Sequence, residues 1–516
     1  MSSTGLNSIL SSLGNTQSLS QLLGNTNSSN TNNAASTTAI QDAVNAILNS
    51  ATNTSGTGIN VQDTVNAILQ IKAAPEIQMQ DQVTSLNTKT AALQTIQSDL
   101  VAFQTSVQAL SDPTGAFGAV AVTSTNNNVV SAMAPNGAAV GTHSVTVHSI
   151  ATTAASYSTS QLSGTTVIPS GSFDLQVGPQ GPAEPIPVDS ADGTDTLNGL
   201  AMYINQHDLG VTASVITDSS GARLALVSQT SGAAGALTIS NDTTGTNGNG
   251  MGFTQALDAS GNPLGADASL TVDGIPVTSA SNTVTTVIPG LTLTLSTASA
   301  TPVTLAVQPD MTQVATAINN FISSYNKVMQ DINAQYQYDG TASSTAPPLL
   351  GDSSLELLQS QLLAGISTSI TGNNGLANLQ SIGIKLQNDG TLTVASSTSP
   401  DSVSLDDALT NNFSAVQNLF QSAASSEAGA GVAQTLNTAL TSLTDAVNGP
   451  LNADMAGINS EVKDLNDHIS DFQLRLQQTQ QQLLIQYSLI NTMLEQLPQT
   501  LASINSQLNS LNPSKA

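Results

Sequence analysis

A seven-residue apolar repeat near the C-terminus constrains the fold of this chain more than any other feature. Every seventh residue from Met455 to Leu511 is aliphatic. A second set of apolar residues interleaves with the first half of this repeat, so that successive apolar positions are alternately four and three residues apart: Leu451, Ile458, Leu465 and Phe472. Apolar residues about every 3.5 positions specify a helix that must bury one stripe against another helix. We expect Pro498 to kink or end this helix. Such a helix is a scaffold or an assembly surface and does not by itself form a pocket.

Two other segments, Met79–Leu110 and Met311–Ile332, carry matching apolar periods. We predict that all three pack in one bundle, which the chain leaves near residue 112 and rejoins near residue 310. The alternative is three independent amphipathic helices, each on a separate core. The matching periods and the strand-like sequence between the segments favour the bundle. The predicted packing and assembly positions are Leu86, Leu93, Leu100, Val107, Val314, Ile318, Phe321, Tyr325, Leu451, Met455, Ile458, Val462, Leu465, Ile469, Phe472 and Leu476.

The region between the first two helical segments, residues 113–308, has the alternating pattern of β-strands. Val211–Ile216 and Leu224–Ser228 flank a turn-rich stretch, and Asp273-Gly274 is a favoured hairpin turn. Leu197–Ile204 has the spacing of a single helix. We predict a β-rich head, with residues 113–159 and 266–308 in one subdomain and residues 160–265 in a second, inserted subdomain.

Residues 309–450 return to a helical pattern with one small hairpin. Ile382–Leu386 is expected to pair with Leu392–Val394 across Asn388-Asp389-Gly390. Ser404 has the features of a helix N-cap, because acidic residues follow in the first turn. The fold class is therefore α+β and multidomain, with a coiled-coil or helix-bundle stalk formed by residues 58–112, 309–450 and 451–516.

Residues 1–57 are rich in Ser, Asn and Thr and carry one charge, Asp42. We expect this segment to be disordered in isolation, because it offers too little apolar surface to offset its ordering entropy. It contains a short repeat: Ile40–Ser50 is echoed by Val61–Ile71, and both copies share Gln-Asp-x-Val-Asn-Ala-Ile-Leu. The first copy is either a second docking helix or a duplication without a role.

Composition argues against several functional classes. The chain has 516 residues, no Cys, only 8% charged residues and a net charge of -26. Nucleic acid and anionic membrane surfaces both require Lys and Arg, so neither is an expected partner. No apolar run approaches the roughly 20 residues that span a bilayer, so membrane insertion is not expected. Residues 1–57 contain no Lys or Arg, so a cleaved signal peptide is not expected.

No set of residues predicts catalysis, a cofactor or a metal site. The four His residues have no metal-ligand spacing, and His143 and His148 are expected on opposite faces of one strand, where solvent contact is the favoured interpretation. Gly351-Asp-Ser-Ser resembles the start of one lipase motif, but His468 lacks an Asp three positions before it. We interpret Ser353 as the start of a helix. We therefore expect a protein that is not an enzyme.

The order and spacing of several motifs resemble one family, the bacterial flagellar filament cap or hook-associated protein 2 family. The motifs are Gly56–Val61, Gly141–Val147, Ala266–Gly274, Ile288–Leu295, Pro348–Asp352, Ile382–Ile384 and Asp389–Leu392, followed by the heptad tail. The chain departs from the family in its first 57 residues, which are longer than the usual short start. It also has Gly58-Ile59-Asn60 where the family usually has Gly-Leu-Asp.

The resemblance implies a structural function outside the cell. Family members form a homo-oligomeric ring at the distal end of the flagellar filament, where they help exported flagellin to fold and polymerise. The implied partners are further copies of the chain, flagellin, hook-filament junction proteins and an export chaperone. The alternative is a secreted adhesin or fibre protein, in which the β-rich head binds a host or surface polymer and the coiled coil only oligomerises.

Overall fold

The computed structural model describes residues 60–244, 250–259, 261–338, 340, 346–395, 403–423 and 429–511. The predictions for residues 1–57, including the first copy of the repeat, lie outside this set. The described helices are α1 (Val61–Lys72), α2 (Ala74–Ser111), α3 (Leu197–Gln206), α4 (Met311–Tyr336), α5 (Ser353–Ile366), α6 (Leu405–Gln421), α7 (Val432–Leu443) and α8 (Pro450–Leu511).

The strands lie in two blocks, one between α2 and α4 and one between α5 and α6. They are β1 (Val120–Ser124), β2 (Val130–Met133), β3 (Gly141–Ser149), β4 (Thr153–Tyr157), β5 (Gly171–Val177), β6 (Ala183–Val188), β7 (Val211–Asp218), β8 (Gly221–Ser231), β9 (Leu237–Ser240), β10 (Thr254–Gln255), β11 (Ala268–Val272), β12 (Ile275–Ser279), β13 (Thr283–Val284), β14 (Thr292–Leu295), β15 (Val303–Pro309), β16 (Ile384–Leu386) and β17 (Leu392–Val394). Long helices that flank an inserted strand region confirm the predicted α+β class.

The chain divides into two compact units. The helical unit comprises residues 1–107, 320–405 and 418–516, and the β-rich unit comprises residues 108–319 and 406–417. The helical unit therefore draws on the start, the middle and the end of the chain. No helix in the described part of the chain combines the length and the apolar character needed to cross a membrane.

The β-rich unit contains two separate apolar clusters. The first lies within an antiparallel sheet of order β1-β15-β3-β11-β12 and a smaller sheet of order β13-β14-β2, with Val145, Leu270 and Leu293 fully buried. The second lies within sheets of order β10-β4-β8-β7 and β6-β5-β9, and α3 packs on β7. Residues of the second cluster lie between residues 168 and 251, inside the sequence range of the first.

The hairpins in the β-rich unit form where the turn chemistry predicts them. Asp273 and Gly274 connect β11 to β12 with φ values of 50° and 83°, a left-handed pair that Asp and Gly tolerate better than other residues. Strand β7 pairs with β8 along the whole length of β7, from Val211 to Asp218. Both hairpins confirm the sequence prediction. Within the same unit, Phe413 of α6 packs edge-on against Phe117 with ring centroids 6.0 Å apart.

One local prediction was wrong and another was wrong in part. Of the two expectations for Pro498, an end of the C-terminal helix is excluded, because α8 continues through this residue to Leu511. A proline inside a helix removes one backbone hydrogen bond and crowds the preceding turn, and the remaining bonds of a long helix can offset that cost. We also expected Ile382 in the small hairpin. It instead ends a 3-10 turn, Leu379–Ile382, and Gly383 with φ of 83° leads into β16.

Candidate assembly surface of the helical unit

The buried stripe of α2 forms one wall of the helical core. Leu93, Leu100 and Val107 are fully buried at the predicted seven-residue spacing, while Leu86 is half-buried. Ile96, Phe103 and Leu110 complete the stripe and are also fully buried. The burial of α2 therefore increases from its N-terminal half towards its C-terminal end.

Helix α4 faces α2 through Phe321 and Tyr325. Its predicted positions Val314, Ile318, Phe321 and Tyr325 are all fully buried; the first two belong to the β-rich unit and the last two to the helical unit. The Phe103 ring lies 5.5 Å from the Phe321 ring and 5.6 Å from the Tyr325 ring, centroid to centroid. Such aromatic pairs contribute about 0.5–1.5 kcal/mol beyond the burial of their area. Phe321 also packs edge-on against Phe420 of α6 at 6.0 Å.

Polar contacts fix the register of α2 and α4 at the edge of this core. The Ser106 and Ser324 hydroxyls lie 2.8 Å apart. The Lys327 ammonium donates to Asp99 on α2 at 3.1 Å and to Asp331 on its own helix at 2.5 Å. The hydrogen bond to Asp331 is the main cause of a raised Lys327 pKa. Because the Lys327 side chain is half-exposed, solvent screens this network and it contributes mainly to register.

Two side chains of α4 make three hydrogen bonds with the β16–β17 hairpin. The Tyr325 hydroxyl donates to the Gly390 carbonyl at 2.9 Å, inside the core. The Asn326 side chain makes two bonds with the Leu392 backbone, one as donor and one as acceptor, at 2.7 and 2.6 Å. Burial raises the pKa of the Tyr325 hydroxyl well above its usual value, and the negative charge of Asp389 adds to the shift.

Helix α8 runs antiparallel to α2 and keeps a constant register with it. Gln97 donates to Asn452 at 2.8 Å, and Gln473 donates to Glu76 at 2.6 Å. Glu76 lies 21 positions before Gln97, and Gln473 lies 21 positions after Asn452. The two residue numbers therefore add to 549 in both pairs. In a pair of antiparallel helices, the numbers of facing residues add to a constant as long as the register does not change. Helices α2 and α8 therefore keep one register over these 21 residues.

The burial of the α8 seam decreases along the helix. Leu451, Met455 and Ile458 are buried, with 1%, 8% and 8% of their surface exposed. The other predicted positions on this helix are half-buried; they are Val462, Leu465, Ile469, Phe472 and Leu476. A seam shared by two helices covers each side chain from one side only, which accounts for the half-burial. The structure therefore leaves part of each side chain accessible from Val462 to Leu476, on a helix that hydrogen bonds hold beside α2.

The short helix α1 packs on α8 beyond the part that lies beside α2. Asn60 caps it by accepting from the Asp63 backbone N–H at 3.2 Å, and only Ala73, in helical conformation, separates it from α2. Helix α1 packs on α8 and buries Val65 and Ala67. Further along α8 the apolar positions become exposed: Leu497, Leu501, Ile504 and Leu508 each keep between 47% and 58% of their surface accessible.

The apolar pattern did not lead us to expect helices α5 and α7 in the core of the helical unit. Helix α5 buries Leu355, Leu358 and Leu362, and it begins at Ser353 as predicted, although the capping side chain is Asp352. Helix α7 packs on α5 and buries Val432, Ala433, Leu436, Leu440 and Leu443. The three- and four-residue spacing of these residues was the available signal. Helix α6 begins at Leu405, directly after the predicted cap Ser404.

Two histidines of the β-rich unit have hydrogen-bond partners within the protein. His143 contacts Asp273 at 2.8 Å, and His148 contacts the Thr271 hydroxyl at 2.8 Å. Next to the α5 N-terminus, burial and the negative charge of Asp352 raise the pKa of Asp454. Within the described ranges, no group of three or more His, Asp or Glu side chains is placed to hold a metal ion.

Comparison with known proteins identifies matches along most of the chain. A family model described as flagellar hook-associated protein 2 N-terminus matches residues 57–154, and the corresponding C-terminus model matches residues 265–499. The chain is 28% identical over 445 residues to a B-type flagellar hook-associated protein 2 of Pseudomonas aeruginosa, covering 82% of this chain and 90% of the relative. It is 24% identical over 315 residues to a flagellar hook-associated protein 2 of Escherichia coli, covering 59% of this chain and 67% of the relative.

A solved structure is similar as well. The crystal structure of the D1-D2-D3 domains of the flagellar cap protein FliD from Escherichia coli aligns with a TM-score of 0.53 and 25% sequence identity. The alignment covers 71% of this chain and 99% of the crystallised chain.

Proposed function

This chain belongs to the flagellar hook-associated protein 2 family and is a flagellar filament cap protein, and we propose that its helical unit holds it at the filament tip while flagellin polymerises. The cap sits at the extracellular end of the flagellum. The matched residues 57–154 and 265–499 include α1, α2 and α4 to α7 entire and most of α8. This coverage is the observation that carries the proposal, because it links the family to the same helices that form the helical unit.

The proposed partners are flagellin and further copies of the chain in a closed ring, with hook-filament junction proteins and an export chaperone as additional partners. Support comes from the accessible edges of the α8 seam, which are apolar and regularly spaced. We propose that the predicted packing positions from Leu86 to Leu476 act in assembly because they hold this seam in register. Helices with long apolar stripes associate without covalent chemistry.

We also propose that the β-rich head has two subdomains, residues 113–159 with 266–308 and residues 160–265. Two separate apolar clusters support this division, since each cluster draws its residues from one of the two proposed ranges. The two ranges are in contact: the Ser231 hydroxyl donates to the Ala280 carbonyl at 2.7 Å, and strand β4, at the end of the first range, pairs with β8 of the second.

Family membership does not favour the adhesin alternative, and a genetic experiment separates the two functions. A strain that lacks this gene is complemented with the wild-type chain or with Leu465→Asp, which places a charge in the half-buried seam. The matched control is Leu474→Asp, because Leu474 is 55% exposed on the same helix. Filament length and flagellin in the medium are the readouts.

We expect the deletion strain to release monomeric flagellin and to lack long filaments. Wild type and Leu474→Asp restore filaments, and Leu465→Asp restores them poorly. Normal filaments in the deletion strain would contradict the proposed role and support a protein that only binds surfaces.

A further inference from the structure

The two copies of the N-terminal repeat are 21 residues apart, and the covered and exposed apolar positions of α8 are separated by the same 21 residues. In the second copy, α1 packs on α8 and has Val65 and Ala67 buried. The first copy has the same residues at the equivalent positions, Val44 and Ala46, and Val44 lies 21 positions before Val65. Twenty-one residues are three heptads, so a second helix placed one repeat further along α8 would meet the same seam in the same phase.

We propose that residues 40–50 dock as a second helix on the α8 surface formed by Leu501, Ile504 and Leu508. This inference goes beyond the cap function and does not depend on it. The occupant is a segment of this chain outside the described residues, and the surface is the part of α8 beyond the cover supplied by α1. Three observations support the assignment.

The first observation is the register. Facing residues of α2 and α8 have numbers that add to 549, and α1 continues α2 after a single helical residue. By this register, Val65 lies opposite the half-buried pair Leu483 and Leu484. If the same register continued, a helix over residues 40–50 would place Val44 opposite residue 505, next to Ile504.

The second observation is the state of the seam. Around α1 the seam positions Gln480, Leu483 and Tyr487 are half-buried. Three heptads further, the equivalent positions are Leu501, Ile504 and Leu508, which are 53%, 47% and 58% exposed. These positions are at least as apolar as the covered ones, so the seam continues where the described cover stops. Residues 499–511 of α8 carry no charge, and residues 40–50 carry only Asp42, so no like-charge repulsion opposes docking.

The third observation is reach, which favours a segment of the same chain over a second copy. Along α8 the gap between the two docking positions, residues 489–498, spans about 15 Å at 1.5 Å per residue. The linker, residues 51–60, is also ten residues long and can extend to about 33 Å. A short tether gives an effective concentration on the order of millimolar, well above that of a second molecule in dilute solution.

Cysteine cross-linking of the full chain tests the placement, because the natural sequence has no Cys. Val44→Cys is combined with Ile504→Cys and treated with a short bis-maleimide at low protein concentration. The matched control combines Val65→Cys with Leu483→Cys, where α1 already packs. We expect both pairs to cross-link within one chain, while Val44→Cys with Leu483→Cys does not.

Three outcomes would overturn the proposal. Cross-linking of residue 44 to residue 483 would show that the first copy competes with α1 for one position. Dimers of the single variant Ile504→Cys that form faster at higher concentration would show that a second copy covers the surface. Absence of the 44–504 cross-link, with the control pair reacting, would show that the first copy does not dock there.

Hydrogen exchange gives an independent measurement without cross-linker. Val44→Asp is expected to speed amide exchange in residues 499–508 about tenfold, the effect of losing one buried Val side chain, and to leave residues 452–473 unchanged. Val65→Asp should instead act on residues 478–488. Unchanged exchange at residues 499–508 in the Val44→Asp protein would contradict the docking.

Discussion

Replacement of Phe103 by Ala tests whether the terminal and central helices form one core. Phe103 is fully buried on α2 and contacts two rings of α4, those of Phe321 and Tyr325. Truncation of a buried Phe costs about 3–5 kcal/mol, because the lost transfer energy adds to the cost of the cavity. The two ring contacts place Phe103 at the upper end of that range, since each pair contributes about 0.5–1.5 kcal/mol. A domain is typically stable by about 5–15 kcal/mol, so the expected loss is a large fraction of the total.

The assay is urea unfolding of the full chain, followed by far-ultraviolet circular dichroism at a wavelength dominated by helix. The matched control is Val101→Ala, because Val101 lies two residues away on the same helix and is 49% exposed. A change at an exposed position is expected to alter stability by about 0.5 kcal/mol or less. Phe103→Ala should lower the midpoint of the helical transition clearly, and the control should not. A loss below about 1 kcal/mol for Phe103→Ala would refute the packing of α2 on α4.

Three further predictions concern single contacts. Tyr325→Phe removes a buried hydrogen bond and is expected to cost about 1–2 kcal/mol in urea unfolding. Because burial raises the folded pKa of Tyr325 above the unfolded value of about 10, wild-type stability should fall as pH rises above about 10. The Phe variant should show a smaller slope, to which Tyr336, whose pKa burial also raises, still contributes. Gly365→Ala should destabilise by about 1–3 kcal/mol, because an added Cβ would lie 2.3 Å from Cδ2 of the buried Leu436; Gly457→Ala on open α8 surface should instead stabilise by about 0.5–1 kcal/mol. Hydrogen bonds to a His side chain and a backbone N–H hold the pKa of Asp273 below its usual value, so its contribution is present above about pH 4 and is lost on acidification; Asp273→Asn should flatten the acid limb of the unfolding curve.

Much of the fold could be predicted because local patterns decide it. The heptads specify α2, α4 and α8, and the fully buried residues of α2 are the ones that the spacing selects. The Asp273-Gly274 turn specifies one hairpin through its backbone preferences alone. In each case a few adjacent residues contain the information.

The remaining features depend on contacts between residues distant in sequence. The order β1-β15-β3-β11-β12 joins strands separated by more than 100 residues, and no local signal orders them. The register of α2 on α8 depends on polar pairs such as Gln97 with Asn452, which a heptad pattern leaves undefined. Helices α5 and α7 carried the right spacing, but their stripes are short and do not identify their partners.

A single labelled residue shows whether this chain sits at the filament tip. Leu162 is 92% exposed in the β-rich unit, and the chain has no Cys, so Leu162→Cys provides one specific site for a fluorophore. The variant is expressed in the strain that lacks the native gene, and filaments are imaged after labelling. We expect one fluorescent spot at the distal end of each filament. Signal along the filaments, or on the cell surface without filament ends, would contradict it.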